Sequence, residues 1–119
     1  MHFRSLFTFN QKMMKNYQRK DITEKMVESR LRERVESVGG MCIKLYCMSV
    51  SGLPDRLILM PGSRVYLVET KCIKNGKPTE PSAIQRWMHI RLKNLGFNVW
   101  VINDHESIDN FMIHVTNNI

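Results

Sequence analysis

No apolar run in this chain approaches the ~20 residues needed to span a bilayer. The first apolar cluster, Leu6 to Phe9, is shorter than the hydrophobic stretch of a secretory signal. A membrane span and a signal peptide are therefore not expected, and the sequence reads as soluble and cytosolic. Cysteine is scarce as well. Cys42, Cys47 and Cys72 are odd in number and lie in apolar segments, without the C-x-x-C spacing that a structural zinc site favours, so buried reduced thiols are expected. Internal repeats and linker-like stretches are also missing, and 119 residues with 43% hydrophobic content suffice for one core but not two.

Acidic residues are absent from positions 1–20. That segment carries Arg4, Lys12, Lys15, Arg19 and Lys20, which is +5 of the chain's formal +7, and the remaining thirteen Lys and Arg face all eleven Asp and Glu. It has neither a helical nor a strand period. We therefore read residues 1–20 as a basic extension and 21–119 as the folded domain. Such an extension attracts nucleic acid or another anionic surface through counterion release, or is simply a solvated tail. Met13 and Met14 offer a downstream translation start.

From Asp21 a period becomes readable. Asp21 and Glu24 have the spacing of a capping box, and Met26, Leu31, Val35 and Val38 fall near one helical stripe that Gly39-Gly40 ends. MCIKLYCMSV reads as a strand. Ser51-Gly52-Leu53-Pro54 then turns into a second strand, Arg56 to Met60, and Pro61-Gly62-Ser63 closes a hairpin onto RVYLVETKC. That third strand is apolar on both alternating faces, as a central strand covered on both sides should be. KNGKPTEPS reads as a polar, mobile loop. A second helix follows with Ala83, Ile84, Trp87, Ile90, Leu92 and Leu95 as its apolar positions, ending at Gly96. FNVWVI is a fourth strand, and Asn103 with Glu106 caps a short last helix through Phe111. The order αβββαβα predicts an α/β sandwich.

The chemistry concentrates in Asp55 and in Glu69-Thr70-Lys71. On a strand, positions i and i+2 share a face, so Glu69 and Lys71 point together, and the hairpin brings Asp55 beside them. Two carboxylates converging at a strand end repel unless a cation lies between them, and hard oxygen donors suit Mg²⁺ or Mn²⁺. An ammonium next to such a site stands where a water would attack a phosphodiester. A Pro-Asp pair alone is often only a turn, and E-x-K alone is often a surface ion pair. Their combination on an internal strand is more specific, because unpaired charge there costs several kcal/mol.

Gly52, Pro54, Asp55 and Arg56, a hairpin, Val68 to Lys71, Gln85 opening the next helix, and L-x-x-L-G-F-x-V-W-V-I from Leu92 to Ile102 together resemble the virus-type replication-repair nuclease (VRR-NUC) family. That family belongs to the PD-(D/E)XK superfamily. The resemblance covers roughly residues 21–110 and implies a restriction-endonuclease-like αβββαβ core, a mixed central sheet flanked by helices. It implies that Asp55 and Glu69 bind the divalent metal with the backbone carbonyl of Thr70, and that Lys71 orients or activates the water. A Glu on the first helix completes the site; Glu28 fits best, with Glu24, one turn earlier, the second choice. Gln85 would lie near Lys71 or the scissile phosphate, and Arg56, Lys74, Lys77 and Arg86 flank the site as candidate DNA-phosphate contacts. Thr70 departs from the acidic or aliphatic residue that often precedes the family's Lys.

The resemblance thus predicts a Mg²⁺- or Mn²⁺-dependent endonuclease in a bacterial or phage-infected cell. Its substrate would be branched or double-stranded DNA, four-way (Holliday) junctions in particular. Stand-alone members acting on such junctions are homodimers, so a homodimer is expected here. No helix shows a base-reading pattern, which points to recognition of shape and phosphate placement. A non-catalytic nucleic-acid-binding or interaction module with the same fold is the alternative, while a sequence-specific restriction enzyme would need a recognition insertion that the length scarcely allows.

Overall fold

The computed structural model describes residues 20–117. The segment 1–19, and with it the charge steering expected of the basic extension, lies outside the described residues. The elements run α1 (Glu24–Ser37), β1 (Met41–Lys44), β2 (Arg56–Met60), β3 (Arg64–Thr70), β4 (Ile73–Lys74), β5 (Lys77–Pro78), α2 (Ala83–Asn94), β6 (Asn98–Ile102) and α3 (His105–Asn117).

The first helix starts on a different cap from the one the sequence suggests. Thr23 is the N-cap, its hydroxyl accepting from the Met26 amide at 3.1 Å. Asp21 is used elsewhere: its carboxylate accepts from the amides of Asn75 and Gly76 at 3.1 and 2.8 Å. Those bonds pin the tip of the β4–β5 hairpin, and an Ile22–Ile73 bridge ties its base. The stretch expected to be a mobile polar loop is therefore a short hairpin anchored to the start of α1. The buried stripe of α1 is Val27, Leu31 and Val35, one residue away from the expected Met26, which is 51% exposed.

The sheet has the order β1-β2-β3-β6, antiparallel except for the parallel pair β3/β6. The mixed sheet flanked by helices and the central place of β3 agree with the sequence reading. One sheet face is covered by α1 and α3. Ile58, Met60, Tyr66, Val68 and Ile102 meet Val27, Leu31 and Val35 of α1 and Ile108, Phe111, Met112 and Val115 of α3 in a single core. Each fully buried aliphatic or aromatic side chain contributes about 1.5–3 kcal/mol there. Tyr66 and Trp100 both meet the Phe111 ring edge-on, at 5.7 and 5.3 Å between centroids. Because Phe111, Met112 and Val115 belong to this core, α3 continues to Asn117 rather than stopping at Phe111. Its N-terminus is held by Asp104, whose carboxylate accepts from the Ser107 amide at 2.8 Å, in place of the expected Asn103–Glu106 pair.

The opposite face is covered only in part. The crossover from β3 to β6 lays α2 over one side of the sheet, and α2 buries Met88 and His89. Its expected core positions Ile84, Trp87 and Ile90 are 50%, 53% and 59% exposed. A twelve-residue helix covers only part of a four-stranded face, so its second apolar stripe is left in solvent.

The first strand is also shorter than MCIKLYCMSV suggests. It ends at Lys44, and the following loop folds back onto the start of α2. Gly52 permits this: it has φ of +82°, and a Cβ there would lie 2.6 Å from the Ile84 carbonyl oxygen. Cys47, on that loop, is exposed rather than buried, and a hydrogen bond with Ser49 pulls its thiol below the usual range.

Candidate active site

The hairpin register places the chemistry. Arg56 pairs with Val68, so Asp55, one residue before β2, comes level with the end of β3. There the Thr70 amide donates to Asp55 Oδ1 at 2.9 Å, and the Thr70 hydroxyl hydrogen-bonds Asp55 Oδ2. Thr70 is fully buried, as is Pro54 in front of Asp55. The turn proline and the threonine thus fix the carboxylate between them. The Thr70 hydroxyl also reaches Glu28 Oε1 at 3.5 Å.

Helix α1 supplies two more acids. Glu24 and Glu28 are one turn apart, on one helix face, and with Asp55 they form a trio in which one carboxylate oxygen from each residue lies within 4.8 Å of the other two. Burial first, then the charges of Asp55 and Glu28, push the Glu24 carboxyl above its usual range. Both candidates for the helical ligand are therefore at the site. Glu28 is the more enclosed, and its Oε2 is 2.6 Å from the Arg56 guanidinium.

Glu69 is placed differently. Strand alternation turns Thr70 toward α1 and Glu69 toward α2, where Glu69 Oε1 lies 3.7 Å from His89 Nε2. Both residues are buried, and neither of these two atoms has a hydrogen-bond partner among the described residues. The Glu69 pKa is pushed up to about 7, by burial foremost and then by the Asp55 charge, with Lys71 acting the other way. Burial, then Lys93 and Lys71, lowers His89. Glu69 thus stays electrostatically coupled to Asp55 without joining the trio.

The remaining predicted residues divide. Gln85 forms a capping box with Ser82, its Oε1 accepting from the Ser82 amide at 2.8 Å, so its side chain serves the N-terminus of α2. Lys74 and Lys77 are exposed cross-strand partners on the β4–β5 hairpin. Arg86 is exposed, with its guanidinium on the Pro81 carbonyl at 2.6 Å. Arg56 is 9% exposed and paired with Glu28, because its position on β2 points it under α1 rather than into solvent. Sequence reasoning did not anticipate His89 or the Thr70 side chain. A threonine between Glu and Lys on an internal strand must satisfy its hydroxyl nearby, and that was the available signal.

A mixed sheet between helices, with carboxylates gathered where β2 begins and β3 ends, defines a restriction-endonuclease-like α/β domain. No family model matches the chain. Over 86 residues it is 33% identical to "Putative nuclease p44" of Acyrthosiphon pisum secondary endosymbiont phage 1, covering 71% of this chain and 87% of that protein. A solved structure described as a VRR_NUC domain aligns with a TM-score of 0.70 at 32% identity, over 78% of this chain and 98% of that one. The chain belongs to the VRR_NUC nuclease family.

Proposed function

We propose that the protein is a divalent-metal-dependent DNA endonuclease that hydrolyses phosphodiester bonds in branched DNA, four-way junctions in particular. The observation that carries this reading is the Asp55 carboxylate, fixed by Thr70 and brought within 4.8 Å of two helical glutamates. Three hard oxygen donors crowded this closely fit Mg²⁺ or Mn²⁺. Asp55 and Glu28 would hold the ion, with Glu24 beside them and Glu69 and the Thr70 carbonyl completing the set. When bound, the ion polarises the phosphodiester and makes water a stronger nucleophile. Lys71, following Thr70 and acting electrostatically on Glu69, would orient that water and hold positive charge beside the phosphoryl oxygens. Thr70 keeps Asp55 in place. The exposed Lys74, Lys77 and Arg86 would contact the DNA backbone. Incubating the protein with flap, fork, four-way and linear DNAs in Mg²⁺, Mn²⁺ or EDTA tests the proposal. Metal-dependent cutting of the four-way substrate supports it, and metal-free binding without cutting would favour a non-catalytic module.

The two helical acids separate by environment. Glu28 touches Thr70 and Arg56, whereas Glu24 is exposed. Glu28→Gln, which keeps volume and an acceptor for Arg56, should slow cleavage at least about tenfold more than Glu24→Gln, the scale of a perturbed metal environment. Initial rates of the two variants check this; the reverse order moves the principal ligand one turn toward the N-terminus.

The proposed homodimer is supported by the uncovered sheet face. Ile84, Trp87 and Ile90 of α2, together with Met41 and Val65 on the strands, expose apolar surface suited to an interface. Closed two-fold symmetry would present two sites to two strands of a junction. Light scattering at micromolar concentration should give twice the chain mass, and Trp87→Glu should give the single mass. A wild-type monomer that cuts flaps but not four-way junctions would contradict the dimer.

A further inference from the structure

A polar cleft of about 430 Å³ opens between α1 and the edge strand β1. Its walls follow from spacing. Lys25, Glu28 and Arg32 recur three and four residues apart on one face of α1, while Lys44 and Arg56 are direct partners across β1 and β2 and so project from the same sheet face. Four cations thus surround one carboxylate. Lys25, Arg32 and Lys44 are exposed, and among the described residues none of them is held in an ion pair. Arg56 is nine-tenths buried, and while one nitrogen is on Glu28, its Nε has no hydrogen-bond partner among the described residues.

Glu28 lines this cleft and also belongs to the acidic trio. The basic cleft therefore adjoins the candidate metal site through one side chain, with Arg56 offsetting that side chain's charge. Because the cleft and the trio share Glu28, a strand with its scissile phosphate at the trio would run on along these walls. We propose that Lys25, Arg32 and Lys44, over Arg56, form a subsite for a backbone phosphate of the DNA strand next to the scissile one, holding the strand in register. The inference rests on the nuclease reading. It also gives Arg56 a part in phosphate binding from beneath, as a buried guanidinium that sets the charge of the cleft.

The test is the salt dependence of DNA binding by the full-length chain in EDTA, where no cleavage intervenes, with a four-way junction as probe. Each neutralised phosphate contributes about 0.9 to the slope of log affinity against log salt. The double variant Arg32→Ala/Lys44→Ala should lose roughly one unit of slope and bind about tenfold more weakly at 0.1 M salt. A control removing equal charge at the far end of α2, Arg91→Ala/Lys93→Ala, should keep the wild-type slope. Circular dichroism melts establish that both variants fold. If wild type binds and the Arg32/Lys44 variant keeps its slope, or if both variants lose it equally, the subsite is overturned while the nuclease reading stands. Wild-type protein that binds no DNA at low salt overturns both.

Discussion

Asp55→Ala should abolish cleavage, lowering the rate by at least about a thousandfold, the scale of removing a principal electrostatic stabiliser. It should also abolish divalent-cation binding, because Asp55 is the acid common to the α1 glutamates and to the end of β3. Lys71→Ala should lower the rate by about 10²–10⁴, as loss of a group that positions or activates water does, while leaving cation affinity nearly unchanged. The contrast between the two variants carries the assignment. On the proposed reading one residue would hold the cation and the other would act beside it. Because Asp55 also accepts two hydrogen bonds from the buried Thr70, Asp55→Asn belongs in the series to separate charge from folding. Calorimetric Mn²⁺ titrations alongside single-turnover cleavage measure both effects. Wild-type rates in either alanine variant would remove that residue from the site.

Glu69→Gln should stabilise the metal-free protein at alkaline pH and leave it unchanged at acidic pH. The Glu69 carboxyl is pushed up to about 7 in the folded chain, by burial foremost, against an ordinary value of 4.5. Below pH 4.5 it is protonated in both folded and unfolded chains and has no pH-linked effect. Between 4.5 and about 7 the unfolded chain releases the proton and the folded one retains it, so stability falls as pH rises; above that the loss is complete. A shift of this size corresponds to about 3 kcal/mol, or on the order of ten degrees or more in Tm for a domain of this length. The glutamine variant, neutral throughout, lacks the decline. Melts in EDTA at pH 4.5 and pH 8 read it directly. Equal shifts at both pH values would show that shape rather than charge sets the effect. Mg²⁺ added at pH 8 should raise the wild-type Tm more than that of Glu69→Gln, if Glu69 completes the metal site as proposed.

The part of this fold most legible in the sequence was the hairpin that carries the site. Pro61-Gly62-Ser63 fixes its turn, the apolar run of β3 marks it as central, and together they place Asp55 level with Glu69 at the end of β3 without tertiary information. Less legible were elements whose partners are distant in the chain. Asp21 has the spacing of a helix cap, yet the β4–β5 hairpin takes its carboxylate and leaves the cap to Thr23. Helix α2 has apolar residues on more than one face, so periodicity alone could not say that Met88 would be buried and Trp87 left half in solvent. His89 became meaningful only once the crossover from β3 laid α2 against Glu69. Arg56 adjoins the motif in sequence and so read as a surface phosphate contact, but α1 closes over it through Glu28. At the site itself the residue types were legible and their directions were not. Glu28 and Asp55 lie together, while strand alternation turns the Glu69 side chain toward His89 of α2.

The central claim is that these carboxylates support metal-dependent phosphodiester hydrolysis, and a chelation and restoration experiment on a labelled four-way junction tests it most directly. Full-length protein stripped with EDTA should bind the junction and leave it intact, and Mg²⁺ or Mn²⁺ in excess should restore cutting to wild-type protein but not to Asp55→Ala. Cutting that persists in EDTA, or that Asp55→Ala retains after metal is restored, would contradict the account.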